Sequence, residues 1–170
     1  MLESFEISTQ QFESPTLGTR SIDQMLTDIS RYVQEDSNAF YRLVIGTDSQ
    51  IKVANGKKEC DFVTAIVVHR VGQGARYFWR KEKILRASSL REKIYTETLT
   101  SLQTANALIP EIRERLEKAN YSLEIHIDVG TVGPTREMIK EVVGMVTGNG
   151  FTAKTKPESW AASSVADKYT

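Results

Sequence analysis

The sequence predicts an α/β protein with a mixed five-stranded sheet, three antiparallel strands followed by two parallel ones, flanked by helices. The main observation is a change of pattern after residue 85. Short apolar strands joined by tight turns come before it, and alternating helices and strands, which need crossover connections, come after it. The length of 170 residues, with 40% hydrophobic and 26% charged residues, suits one domain with its own core.

The first half of the chain supplies the antiparallel part. We expect an N-terminal arm over residues 1–18 and a single domain over 19–170. Apolar residues at helical spacing predict an extra N-terminal helix over 19–36. Three β-rich runs separated by glycine-containing turns predict a meander, at residues 41–50, 60–70 and 76–85.

The second half alternates between helix and strand. A helix is predicted over 88–109, and Pro110 ends or kinks it before a second polar-faced helix. The helix that follows the fourth strand has Pro134 in its first turn, where proline is favoured. The remaining elements are a strand, a helix, a strand and a terminal helix, at 123–130, 133–146, 151–156 and 158–170.

Charge and cysteine content exclude several classes of protein. Lys plus Arg and Asp plus Glu both number 22, so no global positive field draws the chain onto nucleic acid or a membrane. A local patch would have to bind any polyanion. The single cysteine, Cys60, excludes an internal disulfide and a cysteine-based zinc site. The N-terminus lacks a signal-peptide pattern and no apolar run is long enough to span a membrane, so we expect a cytoplasmic protein.

Two aspartates follow apolar strand segments. Asp48 closes LVIGTD and Asp128 closes LEIHID. Ligands of open α/β sheets bind at the carboxyl ends of parallel strands, so adjacent strands would bring both carboxylates into one crevice. The alternative is that each aspartate caps the turn that follows it.

Two further acids are candidates by their place on helices. Asp167 lies on a terminal helix face of small residues, which allows close approach to a sheet; alternatively it is a solvated residue beside Lys168. Glu97 lies beside the apolar stripe of its helix, whereas Glu92 lies on the opposite face. Glu97 therefore points towards the sheet, unless it is an ordinary glutamate at the rim.

Glycines and cations near these acids are candidates for phosphate binding. Glycines and a helix N-terminus after Asp128 offer backbone N–H groups, and four cations lie on the last strand and the preceding helix. The alternatives are a tight turn and solvated faces. The candidates are Gly130, Gly133, Arg136, Lys140, Lys154 and Lys156. The run RYFWRKEK could also stack bases, but a half-buried strand, with Tyr77 and Trp79 on one face and Phe78 on the other, is favoured.

The element order resembles that of ribonuclease H-like proteins. The segments GTDSQ, VVHRVGQGA, HIDVGTVGPTREMI and KPESWAASSVADKYT resemble the YkuK family of ribonuclease H-like proteins, over about residues 20–170. The family's acids fall on the first strand, the first helix, the fourth strand and the last helix. The resemblance therefore implies the set Asp48, Glu97, Asp128 and Asp167.

The resemblance implies a two-metal-ion nuclease. Clustered carboxylates repel one another unless cations bind between them, and ligands that are all oxygen favour Mg²⁺ or Mn²⁺. Asp48 would bridge both ions, Glu97 and Asp128 would hold one, and Asp167 the other. The substrate would be RNA, DNA or a hybrid. Two alternatives remain: a non-catalytic nucleic-acid-binding module, and a phosphate-binding protein that uses the loop after Asp128.

Overall fold

The computed structural model describes residues 9–84 and 89–170, and the strands of this part of the chain form one seven-stranded sheet. The strands are β1 (Gln11–Ser14), β2 (Gly18–Ser21), β3 (Phe40–Ala54), β4 (Lys57–Arg70), β5 (Gly74–Ile84), β6 (Asn120–His126) and β7 (Thr152–Lys154). Their order across the sheet is β2-β1-β5-β4-β3-β6-β7.

The predicted arrangement of the inner strands is confirmed. β3 is central, antiparallel to β4 on one side and parallel to β6 on the other, and the β3–β6 register ends at Gly46 opposite His126. β5 is antiparallel to β4, and β7 is parallel to β6. One expectation is wrong: β3 does not end at Asp48 but continues to Ala54, because it stays paired with β4 as a long hairpin.

The predicted count of five strands is also wrong, because β1 and β2 extend the sheet beside β5. The two strands form a hairpin, and β1 meets β5 where Glu13 pairs with Trp79. Phe12, only 1% exposed, anchors β1 in the core. β1 is short and has few apolar residues, so its sequence gave little signal of a strand. The first eight residues of the predicted arm lie outside the described residues.

Three α-helices are present in the described ranges: α1 (Ile22–Gln34), α2 (Leu90–Arg115) and α3 (Ile139–Gly148). α1 is shorter than the helix predicted over 19–36, because residues 18–21 form β2. It begins with a capping box, in which the Ser21 and Gln24 side chains each accept from the other's backbone N–H. The expected last residue of the third strand, Leu85, and the expected helix start at Ser88 lie outside the described residues.

The sequence predicted that Pro110 ends or kinks α2, but the helix does not end there. The helix continues through it to Arg115. Proline removes the hydrogen bond that its nitrogen would donate four residues back, to the carbonyl of Asn106. Pro110 and Asn106 both lie on the exposed side of the helix, so water can satisfy that carbonyl.

Two other helices differ from the prediction. The helix expected over 133–146 begins with a turn and a short 3₁₀ segment, Arg136–Met138, before α3, because Gly133 has a positive φ of 96°. The α-helix expected over 158–170 is instead a π-helical segment, Ala161–Ala166, followed by a 3₁₀ turn, Asp167–Tyr169. We call residues 160–169 the C-terminal segment. π-Helical turns are rare and often lie at functional sites.

The sheet is covered on its two faces by different parts of the chain. The three α-helices pack on one face and form the main core, which includes Met25, Leu43, Ile66, Phe78, Leu108 and Ile125. The C-terminal segment packs on the other face, against residues such as Val44, Val63 and Ala65. No helix in the described part of the chain is long and apolar enough to span a membrane.

Candidate active site

Asp48 is a buried acid on the face of the sheet that the C-terminal segment covers. Side chains alternate along a strand, so Asp48 shares this face with Val44 and Gly46. Its side chain is largely shielded, with the residue only 6% exposed. β6 ends opposite Gly46, so Asp48 lies next to the segment that carries Asp128.

The absence of a side chain at Gly46 lets the C-terminal segment lie directly on β3. A Cβ atom built on Gly46 would lie 2.6 Å from the backbone nitrogen of Ala162 and 2.9 Å from the carbonyl carbon of Ala161. Both contacts are with backbone, which cannot swing aside as a side chain would. Glycine is therefore required here for the close approach that brings Asp167 to Asp48.

Three side chains hold this segment in place. The imidazole Nδ1 of His126 accepts a hydrogen bond of 3.2 Å from the backbone N–H of Ala161. The ring of Tyr169 stacks on Trp79, with centroids 4.2 Å apart, and its hydroxyl lies 2.5 Å from that of Tyr77. The segment is therefore fixed at both ends, with Asp167 between them.

The carboxyl groups of Asp48 and Asp167 lie within hydrogen-bonding reach of each other. Burial, the contact with Asp167 and the charge of Asp128 raise the pKa of Asp48 to about 7, which the positive charge of Lys93 partly opposes. A hydrogen bond between two carboxyl groups needs a proton on one of them. Because its pKa is about 7, Asp48 is the carboxyl that retains a proton near neutral pH.

Glu97 approaches β3 from α2, which packs on the face of the sheet opposite to Asp48. Its Oε1 accepts a hydrogen bond of 2.6 Å from the hydroxyl of Ser49, the residue after Asp48. The residue is 3% exposed, and its Oε2 is buried without a hydrogen-bond partner. Burial, with a smaller contribution from the charge of Asp48, raises the pKa of Glu97 to about 8 despite the Ser49 bond.

Asp128 lies two residues beyond β6 and forms an ion pair with a lysine. Its Oδ1 is 3.1 Å from the Nζ of Lys156. Its negative charge raises the pKa values of both Asp48 and Glu97. The four predicted acids therefore come from four separate elements and act on one another electrostatically.

The chemistry of this cluster fits a divalent cation, but its arrangement is not that of a preformed metal site. All candidate donors are carboxylate oxygens, and the unpartnered Oε2 of Glu97 is an acceptor that a cation would satisfy. Among the residues that the structure describes, no group of three or more His, Cys, Asp or Glu side chains is placed to hold a metal ion. The Asp48–Asp167 contact and the Lys156 ion pair take up the ligand positions.

The two candidate glycines lie in the loop after Asp128. The N–H of Gly130 is already used, because it donates a 3.3 Å hydrogen bond to the hydroxyl of Thr135. Gly133 is exposed and turns the chain with its positive φ. A short 3₁₀ segment follows, so the long helix N-terminus expected beside Asp128 is absent from this described loop.

The four candidate cations differ in their surroundings. Arg136 and Lys140 are exposed at the start of the α3 region. Lys154 lies 3.6 Å from a carboxylate oxygen of Glu158. Lys156 lies beyond β7 and faces Asp128, so the two lysines do not form the continuous pair on one strand face that their alternation predicted.

Two residues near the acids were missed by the sequence analysis. Ser49 is the hydrogen-bond donor to Glu97, and Lys93 is a cation whose charge lowers the pKa values of Asp48 and Glu97. Lys93 could have been found, because it lies four residues before Glu97 and thus on the same side of the helix. Ser49 gave no signal beyond its position next to Asp48.

The favoured interpretation of the RYFWRKEK strand agrees with the structure. Tyr77 and Trp79 lie on one face of β5 under the C-terminal segment, and Phe78, 1% exposed, lies in the core on the other. Tyr77 and Trp79 therefore pack against Tyr169 of the C-terminal segment.

Comparison with known proteins identifies the family to which this chain belongs. A family model described as Ribonuclease H-like matches residues 24–170, which is most of the chain. The chain therefore belongs to the ribonuclease H-like family. In particular, it is similar to "Uncharacterized protein YkuK" of Bacillus subtilis (strain 168), with 34% identity over 160 residues that cover 88% of this chain and 91% of that protein. This confirms the resemblance noted in the sequence. The search of solved structures found no match.

Proposed function

We propose that this protein is a nuclease that hydrolyses phosphodiester bonds with Mg²⁺ or Mn²⁺ held by Asp48, Glu97, Asp128 and Asp167. The observation that supports the proposal is the raised pKa of two buried acids, Asp48 and Glu97, to which the charges of the other acids contribute, in a ribonuclease H-like chain. Such a cluster has no evident structural use, because it raises the free energy of the folded chain.

The protonation behaviour of the acids supports cation binding. Asp48 and Glu97 have pKa values of about 7 and about 8, so each resists ionisation in its buried place. A cation between the carboxylates removes this resistance by neutralising the repulsion. The unpartnered Oε2 of Glu97 supplies one such ligand without breaking an existing hydrogen bond.

Loading the site requires two local changes. Asp48 must lose its proton, and Lys156 must leave Asp128, which it contacts at 3.1 Å. Bound there, a pair of divalent ions would supply an activated water and charge stabilisation for the leaving oxygen. Asp48, Glu97, Asp128 and Asp167 are the residues that would hold them.

The expected substrate is a nucleic-acid strand, RNA, DNA or a hybrid. The loop after Asp128 borders an open groove of about 410 Å³, lined by residues that include Gly133 and Arg136. Arg136 and Lys140 provide exposed positive charge there, and Lys156 becomes available for a phosphate when it leaves Asp128. Gly130 can take part only if its bond to Thr135 breaks.

A second candidate function is supported by a specific observation. Lys156 already neutralises Asp128, and no preformed cation arrangement is present among the described residues. This suits a module that binds nucleic acid, or a phosphate compound, without cleaving it. The two functions differ in whether binding leads to hydrolysis, and in whether Asp48 is needed.

The experiment that tests the proposal combines metal binding with cleavage. Crystals soaked in Mn²⁺ should give anomalous density among the four acids, and labelled RNA, DNA and hybrid should be cut in Mg²⁺ or Mn²⁺ by the wild type. Asp48→Asn should abolish cleavage while the protein remains folded. Binding without cleavage, together with no anomalous density, would favour the non-catalytic module.

A further inference from the structure

A second charged cluster lies on the same face of the sheet as Asp48, outside the acidic site. The carboxylate of Asp61, on β4, is contacted by two lysines: its Oδ2 is 3.0 Å from the Nζ of Lys52 and 3.3 Å from the Nζ of Lys81. The Asp61 side chain is 4% exposed, whereas those of Lys52 and Lys81 are 45% and 34% exposed.

This cluster has more positive charge than a buried carboxylate requires. One lysine neutralises an aspartate, and the second leaves the group of three with a net charge of about +1. Each ammonium group has three N–H donors, and the bond to Asp61 uses one of them. The cluster therefore offers unused donors at a fixed position on an accessible surface, which is the requirement for a phosphate site.

Other lysines around the cluster increase the positive charge. Lys83 pairs with Asp61 in the β4–β5 register, and Lys57 lies on the same face of β4. Glu59, which pairs with Lys52, contributes one negative charge. Around this cluster, at the end of the hairpin, the four lysines outnumber Asp61 and Glu59.

The strand register places the cluster close to the candidate active site. Asp48, Val63 and Lys81 are paired in line across β3, β4 and β5, so two strand spacings of about 4.8 Å separate Asp48 from Lys81. Lys52 lies four residues beyond Asp48 on β3, about 13 Å along the strand. At about 3.4 Å per nucleotide of a stacked strand, this corresponds to three or four nucleotides.

We propose that Lys52 and Lys81, held in place by Asp61, form a phosphate-binding subsite for the nucleic-acid backbone, three or four nucleotides from the bond that is cleaved. The assignment rests on the proposed function for the substrate class. It extends the path of the bound strand along the β3–β4–β5 surface, on the other side of Asp48 from β6 and Lys156. Lys52 and Lys81 touch the backbone, and Asp61 is a positioning residue.

The test measures binding separately from cleavage. The parent is Asp48→Asn, so that cleavage does not consume the probe, and the probe is a fluorescein-labelled hybrid, with RNA and DNA of the same sequence in parallel, in Mg²⁺. The test variant adds Lys52→Gln, Asp61→Asn and Lys81→Gln, which removes the whole cluster and lowers the net charge by one. We expect affinity to fall at least about 10-fold and the salt slope to shrink by about two.

The matched control is Arg113→Gln in the same parent, which lowers the net charge by the same amount. Arg113 is exposed on α2, 16 residues beyond Glu97 and therefore about 24 Å further along the helix. We expect this variant to bind within about two-fold of the parent. Equal losses in the test and control variants would overturn the subsite, since the effect would then be one of global charge.

Folding and the proposed function are controlled independently. If the triple variant melts early, Lys52→Gln and Lys81→Gln are made singly, since each leaves Asp61 one partner, and each should weaken binding about three-fold. Binding by the triple variant within two-fold of the parent overturns the subsite even if the wild type cleaves its substrate. Cluster-dependent binding by a wild-type protein that cleaves nothing supports the subsite and rejects the nuclease.

Discussion

Ser49 donates a 2.6 Å hydrogen bond to Glu97, although the residue before it, Asp48, points to the other face of the same strand. Neighbouring residues on β3 thus contact acids on opposite sides of the sheet: Ser49 meets Glu97 of α2, and Asp48 meets Asp167 of the C-terminal segment. The candidate site is therefore built around one strand, and its geometry depends on how closely both layers pack against β3.

The first prediction concerns stability without metal. On folding, the pKa of Asp48 rises from 3.8 to about 7 and that of Glu97 rises from 4.5 to about 8. Between about pH 4 and pH 8 the folded protein therefore binds more protons than the unfolded chain. The stabilisation that these two groups contribute is fully present below about pH 4 and is lost as the pH rises to about 8. We expect a loss on the order of 4 kcal/mol for each carboxyl, measured by urea unfolding in EDTA.

Variants of the two acids test the origin of this pH dependence. Asp48→Asn and Glu97→Gln should each flatten the curve and make the metal-free protein more stable at pH 8 than the wild type, since each removes a buried charge from a repulsive cluster. Glu117→Gln, an exposed substitution just after α2, is the control and should leave the curve unchanged. A wild-type protein equally stable at pH 5 and pH 8 would contradict the raised pKa values.

The second prediction concerns Gly46. An alanine Cβ at this position would lie 2.6 Å from the backbone of Ala162, so Gly46→Ala must push the C-terminal segment away from β3. Asp167 then moves relative to Asp48, and a displacement of about 1 Å in a catalytic group can cost about 100-fold in rate. Cleavage should fall by that order, while the main core on the other face of the sheet keeps the protein folded.

Gly144→Ala is the matched control for Gly46→Ala. Gly144 lies within α3, where an added Cβ meets nothing within 4 Å, and alanine is a better helix former than glycine. We expect normal cleavage and equal or higher stability for this variant. Full cleavage by Gly46→Ala would show that the close approach of the segment is not needed for activity.

Much of the fold could be predicted because it depends on local patterns. The periodicity change after residue 85 predicted the order and direction of β3 to β7 correctly, since alternation and tight turns indicate strand pairing directly. β1 and the continuation of α2 through Pro110 could not be predicted, because one depends on the burial of Phe12 and the other on solvent reaching the Asn106 carbonyl. Both are decided by tertiary packing.

The candidate site was only partly accessible to sequence reasoning. Strand ends, a helical wheel and the resemblance indicated all four acids, and the structure brings them into electrostatic contact. The π-helical form of the C-terminal segment and the pairing of Lys156 with Asp128 could not be derived, because they depend on backbone packing at Gly46 and on the path of the chain after β7. Neither feature is encoded in the hydrophobic periodicity of the sequence.

The third prediction concerns Tyr169, which anchors the C-terminal segment next to Asp167. Tyr169→Ala removes the stack on Trp79 and the hydroxyl contact with Tyr77, so the end of the segment should loosen and Mn²⁺ should bind more weakly. Tyr169→Phe keeps the stack and should retain most of the affinity. Calorimetric titration of both variants makes the comparison, and equal affinities for the two would contradict an anchoring role of the ring.

The fourth prediction concerns proton release when metal binds. Asp48 has a pKa of about 7, so it retains a proton near neutral pH, and a cation that binds to its carboxylate must displace that proton. Mn²⁺ affinity should therefore rise between pH 6 and pH 8, and calorimetry in buffers of different ionisation enthalpy should detect the released protons. Affinity that does not change over this range would mean that the ion binds elsewhere.

The last prediction separates two roles of Lys156. Its Nζ lies 3.1 Å from Asp128 Oδ1, so the lysine competes with a cation for that carboxylate, and in the proposed function it then contacts a substrate phosphate. Lys156→Gln removes the competitor, and Mn²⁺ affinity should rise several-fold because Asp128 no longer loses an ion pair on loading. The same variant should show a higher KM for nucleic acid, because one phosphate contact is lost.

Lys154→Gln is the control. Lys154 faces the exposed Glu158 at 3.6 Å, so its substitution should leave Mn²⁺ affinity unchanged. Weaker Mn²⁺ binding by Lys156→Gln would mean that the lysine organises Asp128 rather than competing for it.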